Sequence, residues 1–284
     1  MARPRELGER LFVRAVSAPA LSRLTAPLAD LRVPGPLLRL FVRAYIRAYG
    51  VDMSEAAEPL SAYPSFNAFF TRHLRAGARP VAAEEGVVVS PCDSRVHSIG
   101  AVPENGRLEQ IKGRTYALAA LLASEEDART FARGVHATLY LSPSMYHRVH
   151  SPVDGVIRAW RYVPGRLFPV NSLAVRHVEG LFAVNERVSI LIDTPEFGAV
   201  AVIMVGATNV GRMSLSFASL VTNAGQPGAM TVPAAPIPIA RGQELGAFNL
   251  GSTVVLLAAD ARLQPSGITP GQLVRMGQPF WRLP

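Results

Sequence analysis

Three short stretches carry residues that could do chemistry together. The first is Ser90-Pro91-Cys92-Asp93-Ser94-Arg95, an acid in a turn leaving an apolar run. The second is Tyr146-His147-Arg148-Val149-His150-Ser151-Pro152-Val153-Asp154-Gly155, two histidines bracketed by turn residues. The third is Gly251-Ser252-Thr253, at the mouth of the apolar run 253–257. An acid, a histidine and a serine in separate loops form the arrangement of an activated hydroxyl, in which the imidazole takes the serine proton and the acid orients the imidazole. The glycine before Ser252 leaves that backbone free to bend toward the hydroxyl. Each stretch also has an ordinary reading. Gly-Ser can be a plain turn entering a strand, and Asp93 can cap a turn. His147 and His150 with Asp93 or Asp154 could ligate zinc, but no further histidine or cysteine falls at ligand spacing, so no metal is expected. His136 and His177 lie inside apolar runs and read as structural. Cys92 is a weak nucleophile candidate, because a neighbouring carboxylate raises its pKa.

The elements that must position these residues fall into two regions. Pro36 to Tyr49 reads as a helix, with proline at its start and Gly50 just past its end. Arg39, Arg43 and Arg47 make one basic stripe on it, and Leu37, Leu38, Leu40, Phe41, Val42, Tyr45 and Ile46 cover most of the rest. Such a helix suits an anionic membrane surface, or alternatively packs on the core with its arginines solvated. Residues 11–31 are similar but broken by Pro19 and Pro27. Residues 65–74, with three phenylalanines, read as a staple between this part and the body. From Val87 the texture changes to short apolar runs separated by Gly, Pro, Asn and Asp: 87–89, 136–141, 155–163, 173–178, 187–192, 199–206, 213–220 and 253–259. That is a largely antiparallel β body. One inserted helix is expected within 117–133, with Ser124 and the acids 125–127 in a turn. Residues 222–243 read as a long surface loop. The expected class is α+β, with N-terminal amphipathic helices over residues 1–60 on a catalytic β-rich domain over 61–284.

Composition narrows the field. The chain has 284 residues, of which 49% are hydrophobic and 18% charged, enough for a full core. Its net charge is +8, and residues 1–50 hold nine arginines against three acids, so most of the excess is N-terminal. The single cysteine excludes a disulfide framework. No apolar run reaches the length of a membrane span, and the N-terminus lacks the order of a secretory signal.

Together the motifs resemble the phosphatidylserine decarboxylases, pyruvoyl-dependent enzymes made as proenzymes. The likeness runs through Val51-Asp52-Met53-Ser54-Glu55-Ala56, Phe66-Asn67-Ala68-Phe69-Phe70-Thr71-Arg72, Lys112-Gly113-Arg114-Thr115-Tyr116, Tyr146-His147-Arg148-Val149-His150, Val205-Gly206-Ala207-Thr208, Leu250-Gly251-Ser252-Thr253-Val254 and Arg275-Met276-Gly277-Gln278-Pro279. The resemblance implies self-cleavage between Gly251 and Ser252, giving a large chain 1–251 and a small chain 252–284 that begins with a covalent pyruvoyl group made from Ser252. It implies Asp93 and His150 as the acid and base of that cleavage and His147 as the proton-transfer group of decarboxylation. The implied substrate is phosphatidylserine, bound through a Schiff base and released as phosphatidylethanolamine. The implied location is peripheral, at the cytoplasmic side of the cell membrane, with a homodimer as one compatible assembly and no nucleic acid as partner.

A ketone built from serine also answers a need stated without the family. Decarboxylating an amino acid leaves a carbanion that requires an electron sink. The only lysine, Lys112, sits in a Lys-Gly-Arg turn with no phosphate-cradling glycine loop, which disfavours a pyridoxal phosphate site. Two departures from the family pattern are Ser94 after Asp93 and Met145 before Tyr146. Arg148, Arg166 and Lys112 are phosphate ligands by charge alone. The competing readings are a pyruvoyl decarboxylase of a soluble amino acid, for which residues 1–50 would be dispensable, and a non-catalytic lipid-binding β protein, which would remain one unbroken chain.

Overall fold

The computed structural model describes residues 28–111, 114–170, 172–207, 212–249 and 253–284. Helix α1 (Gly35–Tyr49) has proline in its first turn and ends on Gly50 with φ of 67°, the left-handed geometry a side chain resists. A second, α2 (Phe66–Phe70), is capped by the Ser65 hydroxyl, which accepts from the Ala68 amide at 3.2 Å. Strands then follow: β1 (Val87–Val89), β2 (Ser94–Ala101), β3 (Arg107–Ile111) and β4 (Arg114–Ala117). Two short helices come next, α3 (Leu118–Leu122) and α4 (Glu125–Phe131). The chain continues through β5 (Val135–Tyr140), β6 (Arg148–His150), β7 (Gly155–Val163), α5 (Ser172–His177), α6 (Leu181–Val184), β8 (Arg187–Thr194) and β9 (Gly198–Val205). It closes with β10 (Met213–Leu215), β11 (Ala229–Thr231), β12 (Ile237–Ile239), β13 (Glu244–Phe248), β14 (Thr253–Ala258), β15 (Gln264–Pro265), β16 (Leu273–Val274) and β17 (Pro279–Arg282).

Among the described residues, the central sheet has nine strands in the order β11-β7-β8-β9-β14-β5-β2-β16, with β12 also along β7. Its pairings are all antiparallel. The middle strand, β14, is buried at every position because the sheet is covered on both faces. Val254, Leu256 and Ala258 point to one core, with Val149, Leu245, Phe248, Phe280 and Trp281 from two small sheets, β10-β13-β6 and β1-β17-β15. Val255 and Leu257 point to the other, with Leu118, Leu121, Phe131, Leu181 and Phe182 from the short helices. A third cluster joins Leu38 and Val42 of α1 to Phe69 of α2. The fold is α+β, as the sequence predicts.

Four local expectations are corrected. The apolar run 173–178 is not a strand: α5 covers Ser172–His177, with Ala174 packed in the helical core. A short apolar run has no period long enough to separate the two states. The run 213–220 is a strand only to Leu215, after which the chain folds back so that the Thr222 amide bonds the Met213 carbonyl at 2.9 Å. The single helix expected in 117–133 is two, and Ser124 starts the second by capping Asp127, so the acids sit in a first turn where the helix dipole favours them. The loop 222–243 also carries two short edge strands, β11 and β12.

Candidate active site

Strand β6 runs antiparallel to β13, so that His150 pairs with Glu244 at the start of β13 and His147, just ahead of β6, lies beside Phe248 at its end. Ala247 pairs with Arg148 and Gly246 with Val149, and the Phe248 amide donates to the His147 carbonyl at 2.9 Å. Five residues after Phe248 the chain enters β14 at Thr253, paired between Tyr140 of β5 and Val205 of β9. The segment 249–252 therefore joins a small sheet to the middle of the large one. Gly251 and Ser252 lie outside the described residues.

His147 is fully buried. Its Nδ1 lies 2.8 Å from the Met145 carbonyl, which can only accept, so Nδ1 carries the proton and Nε2 presents a lone pair. That Nε2 is buried with no hydrogen-bond partner. The ring rests on Phe70, with centroids 4.0 Å apart. Burial first, and then the charge of Arg72, push its pKa down to about 3, so the ring is neutral in the ordinary range. Because a backbone carbonyl sets the tautomer, methionine at 145 costs this histidine no necessary partner.

His150 is held differently. Its Nδ1–H goes to the Gly242 carbonyl at 2.9 Å, and its Nε2 accepts from the Tyr146 hydroxyl at 3.1 Å. Gly242 has φ of 80°, and a Cβ there would meet Val81 at 2.5 Å, so glycine is required to offer that carbonyl. Burial is the main influence lowering the His150 pKa, and it drives the Tyr146 hydroxyl up to about 12, keeping it a donor.

Asp93 reaches the same corner through its backbone turn. The His150 amide donates to the Pro91 carbonyl at 2.8 Å. The Asp93 carboxylate does not bond either imidazole. It takes Arg79 through Nε at 2.8 Å and Nη2 at 2.5 Å, and the Met276 amide at 2.9 Å. Arg79 also holds Glu55 at 2.8 Å. Asp93 and His150 thus stand as neighbours, each with its own partners, and not as a hydrogen-bonded pair.

Arg148, one of the arginines suggested by charge for phosphate, is spent on Glu244 at 2.7 and 2.8 Å and on the Thr71 carbonyl. Arg166 is exposed, and Lys112 lies outside the described residues. Cys92 is fully buried, and burial, more than Asp93, pushes its thiol pKa up, which removes it as a nucleophile. His136 is buried in β5, away from the histidine pair. Arg79, Phe70 and Gly242 are not evident from sequence as site residues, since nothing local announces their partners. Tyr146 was legible only as part of the Tyr-His-Arg-Val-His motif.

Comparison with known proteins decides the family. The sequence profile described as Phosphatidylserine decarboxylase matches residues 66–282. The chain belongs to the phosphatidylserine decarboxylase family. Among its relatives, the phosphatidylserine decarboxylase proenzyme of Anaeromyxobacter sp. (strain K) is 47% identical over 282 residues, covering 96% of this chain and 99% of the relative. That of Myxococcus xanthus (strain DK1622) is 42% identical, covering 91% and 92%, and that of Bordetella petrii is 44% identical, covering 91% of each. No helix among the described residues is long and apolar enough to cross a membrane.

Proposed function

We propose that this chain is a membrane-surface phosphatidylserine decarboxylase that cuts itself between Gly251 and Ser252 and carries the resulting pyruvoyl group on the small chain, 252–284. The observation that carries the reading, beyond family membership, is a neutral, buried imidazole with a bare Nε2, His147, just ahead of β6 and beside the end of β13. In the self-cleavage the Ser252 hydroxyl attacks the Gly251 carbonyl, the amide nitrogen is displaced, and elimination from the ester frees Gly251 as a carboxyl end. His150, neutral through burial, is the base, and Asp93 supplies negative charge at the same turn. Elimination leaves residue 252 unsaturated and still bearing its nitrogen; water adds at that carbon and the nitrogen departs as ammonia, so the new chain end would supply a carbonyl, an electron sink for the carbanion that loss of carbon dioxide creates.

His147 then moves one proton. Its Nε2 has none to give at rest, because the ring is neutral with its proton on Nδ1. The substrate ammonium must lose a proton before its nitrogen can attack a carbonyl. His147 Nε2 takes that proton and returns it to carbon after carbon dioxide leaves. A buried site keeps water away from the proton in the interval.

The region 1–60 is the membrane-associating part and 61–284 the catalytic part, at the cytoplasmic face of the membrane. Leu37, Leu40 and Phe41 lie at i, i+3 and i+4 on α1 and stay 58%, 67% and 57% exposed, beside the Arg39–Arg43–Arg47 stripe. A soluble amino-acid substrate would leave such a face without a use. Intact mass measurement and denaturing electrophoresis test the proposal. Wild-type protein should give two fragments, the smaller with the mass of a pyruvoyl-ended 252–284, and Ser252→Ala should stay whole. Normal cleavage of Ser252→Ala would refute the serine mechanism.

A further inference from the structure

Among the described residues two arginines are almost wholly buried, Arg72 at 4% exposure and Arg187 at 3%. Arg187 is a structural charge. Its guanidinium donates to the carbonyls of Leu121, Ala183 and Ala120 at 2.6 Å each and of Asn185 at 3.0 Å, at the ends of α3 and α6, where carbonyls need donors. Arg72 has no such company. Among the described residues its hydrogen-bond acceptor is the Ser144 carbonyl alone, at 3.2 Å, and its Nε is buried without a partner. Its guanidinium lies 5.5 Å over the Phe69 ring. Of the carboxylates near it, Asp93 is taken by Arg79, and Asp52 is exposed and accepts from the Ser54 amide at 2.8 Å. A buried cation left this bare is costly unless an anion arrives to complete it.

The space for one is present. Arg72 lines a cavity of about 310 Å³ together with Asp52, Ser144, Tyr146 and Arg275. It follows by two residues Phe70, which carries the His147 ring. We propose that Arg72 binds the phosphodiester of the phospholipid headgroup in this cavity. This rests on the reading of the substrate as a serine phospholipid. The phosphodiester is favoured over the serine carboxylate on energetic grounds. An arginine gripping the carboxylate would stabilise the state before carbon dioxide leaves, and so would oppose the reaction. The phosphodiester keeps its charge throughout, and the planar fork of a guanidinium suits its oxygens.

The test uses the full-length processed protein and the variants Arg72→Met and Arg72→Lys. The probe is glycerophosphoethanolamine, which has the phosphodiester and no carboxylate, with free serine and inorganic phosphate as separate arms. Arg72→Met should process normally and melt no lower than wild type without ligand, since it removes an uncompensated charge. Its KM for phosphatidylserine in mixed micelles should rise at least about tenfold, with kcat changing much less. Glycerophosphoethanolamine should raise the melting temperature of wild type and not of Arg72→Met, and free serine should show no dependence on residue 72. Arg72→Lys, which keeps charge but loses the fork, should fall between, and it carries the test if Arg72→Met does not fold. An unchanged KM in the folded variants, or equal protection of wild type and variant, overturns the assignment. Protection by inorganic phosphate equal to that by glycerophosphoethanolamine overturns the headgroup as ligand. Absence of cleavage or of carbon dioxide release from phosphatidylserine would instead strike the proposed function, because melting shifts report binding in either case.

Discussion

The two nitrogens of His147 have separate duties: Nδ1 is tied to the Met145 carbonyl, and Nε2 faces inward with nothing to bond. His150, three residues on, has both nitrogens occupied, by Gly242 and Tyr146. The difference predicts different phenotypes. His147→Ala should still process to two fragments and lose turnover by about 10²- to 10⁴-fold, the usual worth of a positioned acid–base group. Gel analysis alongside carbon dioxide release checks this, and a variant with full turnover would remove His147 from the chemistry. At this scale the sequence revealed the residue types and hid their partners. Asp93, His147 and His150 stand out because histidines and acids in turn-rich loops have few structural uses. Arg79 and Arg72 do not stand out among the arginines around them. What selects Arg79 for Asp93 and leaves Arg72 bare is packing between segments far apart in the chain.

Among elements, α1 was the most legible, because its signals are local. Proline opens it, Gly50 closes it in left-handed geometry, and the apolar and basic stripes are written at helical spacing. Its docking was less so. Tyr45 reaches across to the Pro143 carbonyl at 3.0 Å, and Leu38 and Val42 pack with Phe69, so the helix is anchored to the segment leading into His147. One face is used for that anchor, and the face bearing Leu37, Leu40 and Phe41 is open. The double substitution Leu40→Glu with Phe41→Glu should weaken binding to anionic vesicles by at least about tenfold, since each large apolar side chain withdrawn from a bilayer forfeits roughly 1.5–3 kcal/mol. Processing should be untouched, as both side chains are more than half exposed, Phe41 contributing an edge-on contact with the Phe66 ring. Co-sedimentation with phosphatidylglycerol vesicles decides it, and undiminished binding would exclude this face. The failures of element prediction were short pieces, α5 and the end of β10, where three to six apolar residues fit helix, strand or turn equally and the neighbouring layer chooses.

At the level of the whole molecule, burial of imidazoles has a pH consequence. Burial lowers the pKa of His136 to about 4 and that of His147 to about 3, and His150 is also lowered. Unfolded histidine titrates near 6.5, so below that pH the unfolded chain binds protons that the folded one refuses. The stability contributed by neutral burial is complete above about pH 6.5 and declines as pH falls, by up to about 1.4 kcal/mol per pH unit for each such histidine. The depressed carboxylates Glu55, Glu244 and Asp260 follow the same direction, but at lower pH. His136→Gln, on the uncut Ser252→Ala background, should remove one histidine's share of the slope between about pH 4.5 and 6.5. Urea unfolding across that range measures it, and an unaltered slope would mean that His136 titrates alike in both states.

Residues 253–284 are woven through the protein. The β14 strand they contain has β5 on one side and β9 on the other, β16 lies on β2, and β17 lies on β1. Nicking the backbone ahead of β14 therefore frees two ends without freeing a piece. The shorter polypeptide should elute and sediment with the longer one, exchange with no added copy of itself, and come away only when denaturant opens the central sheet.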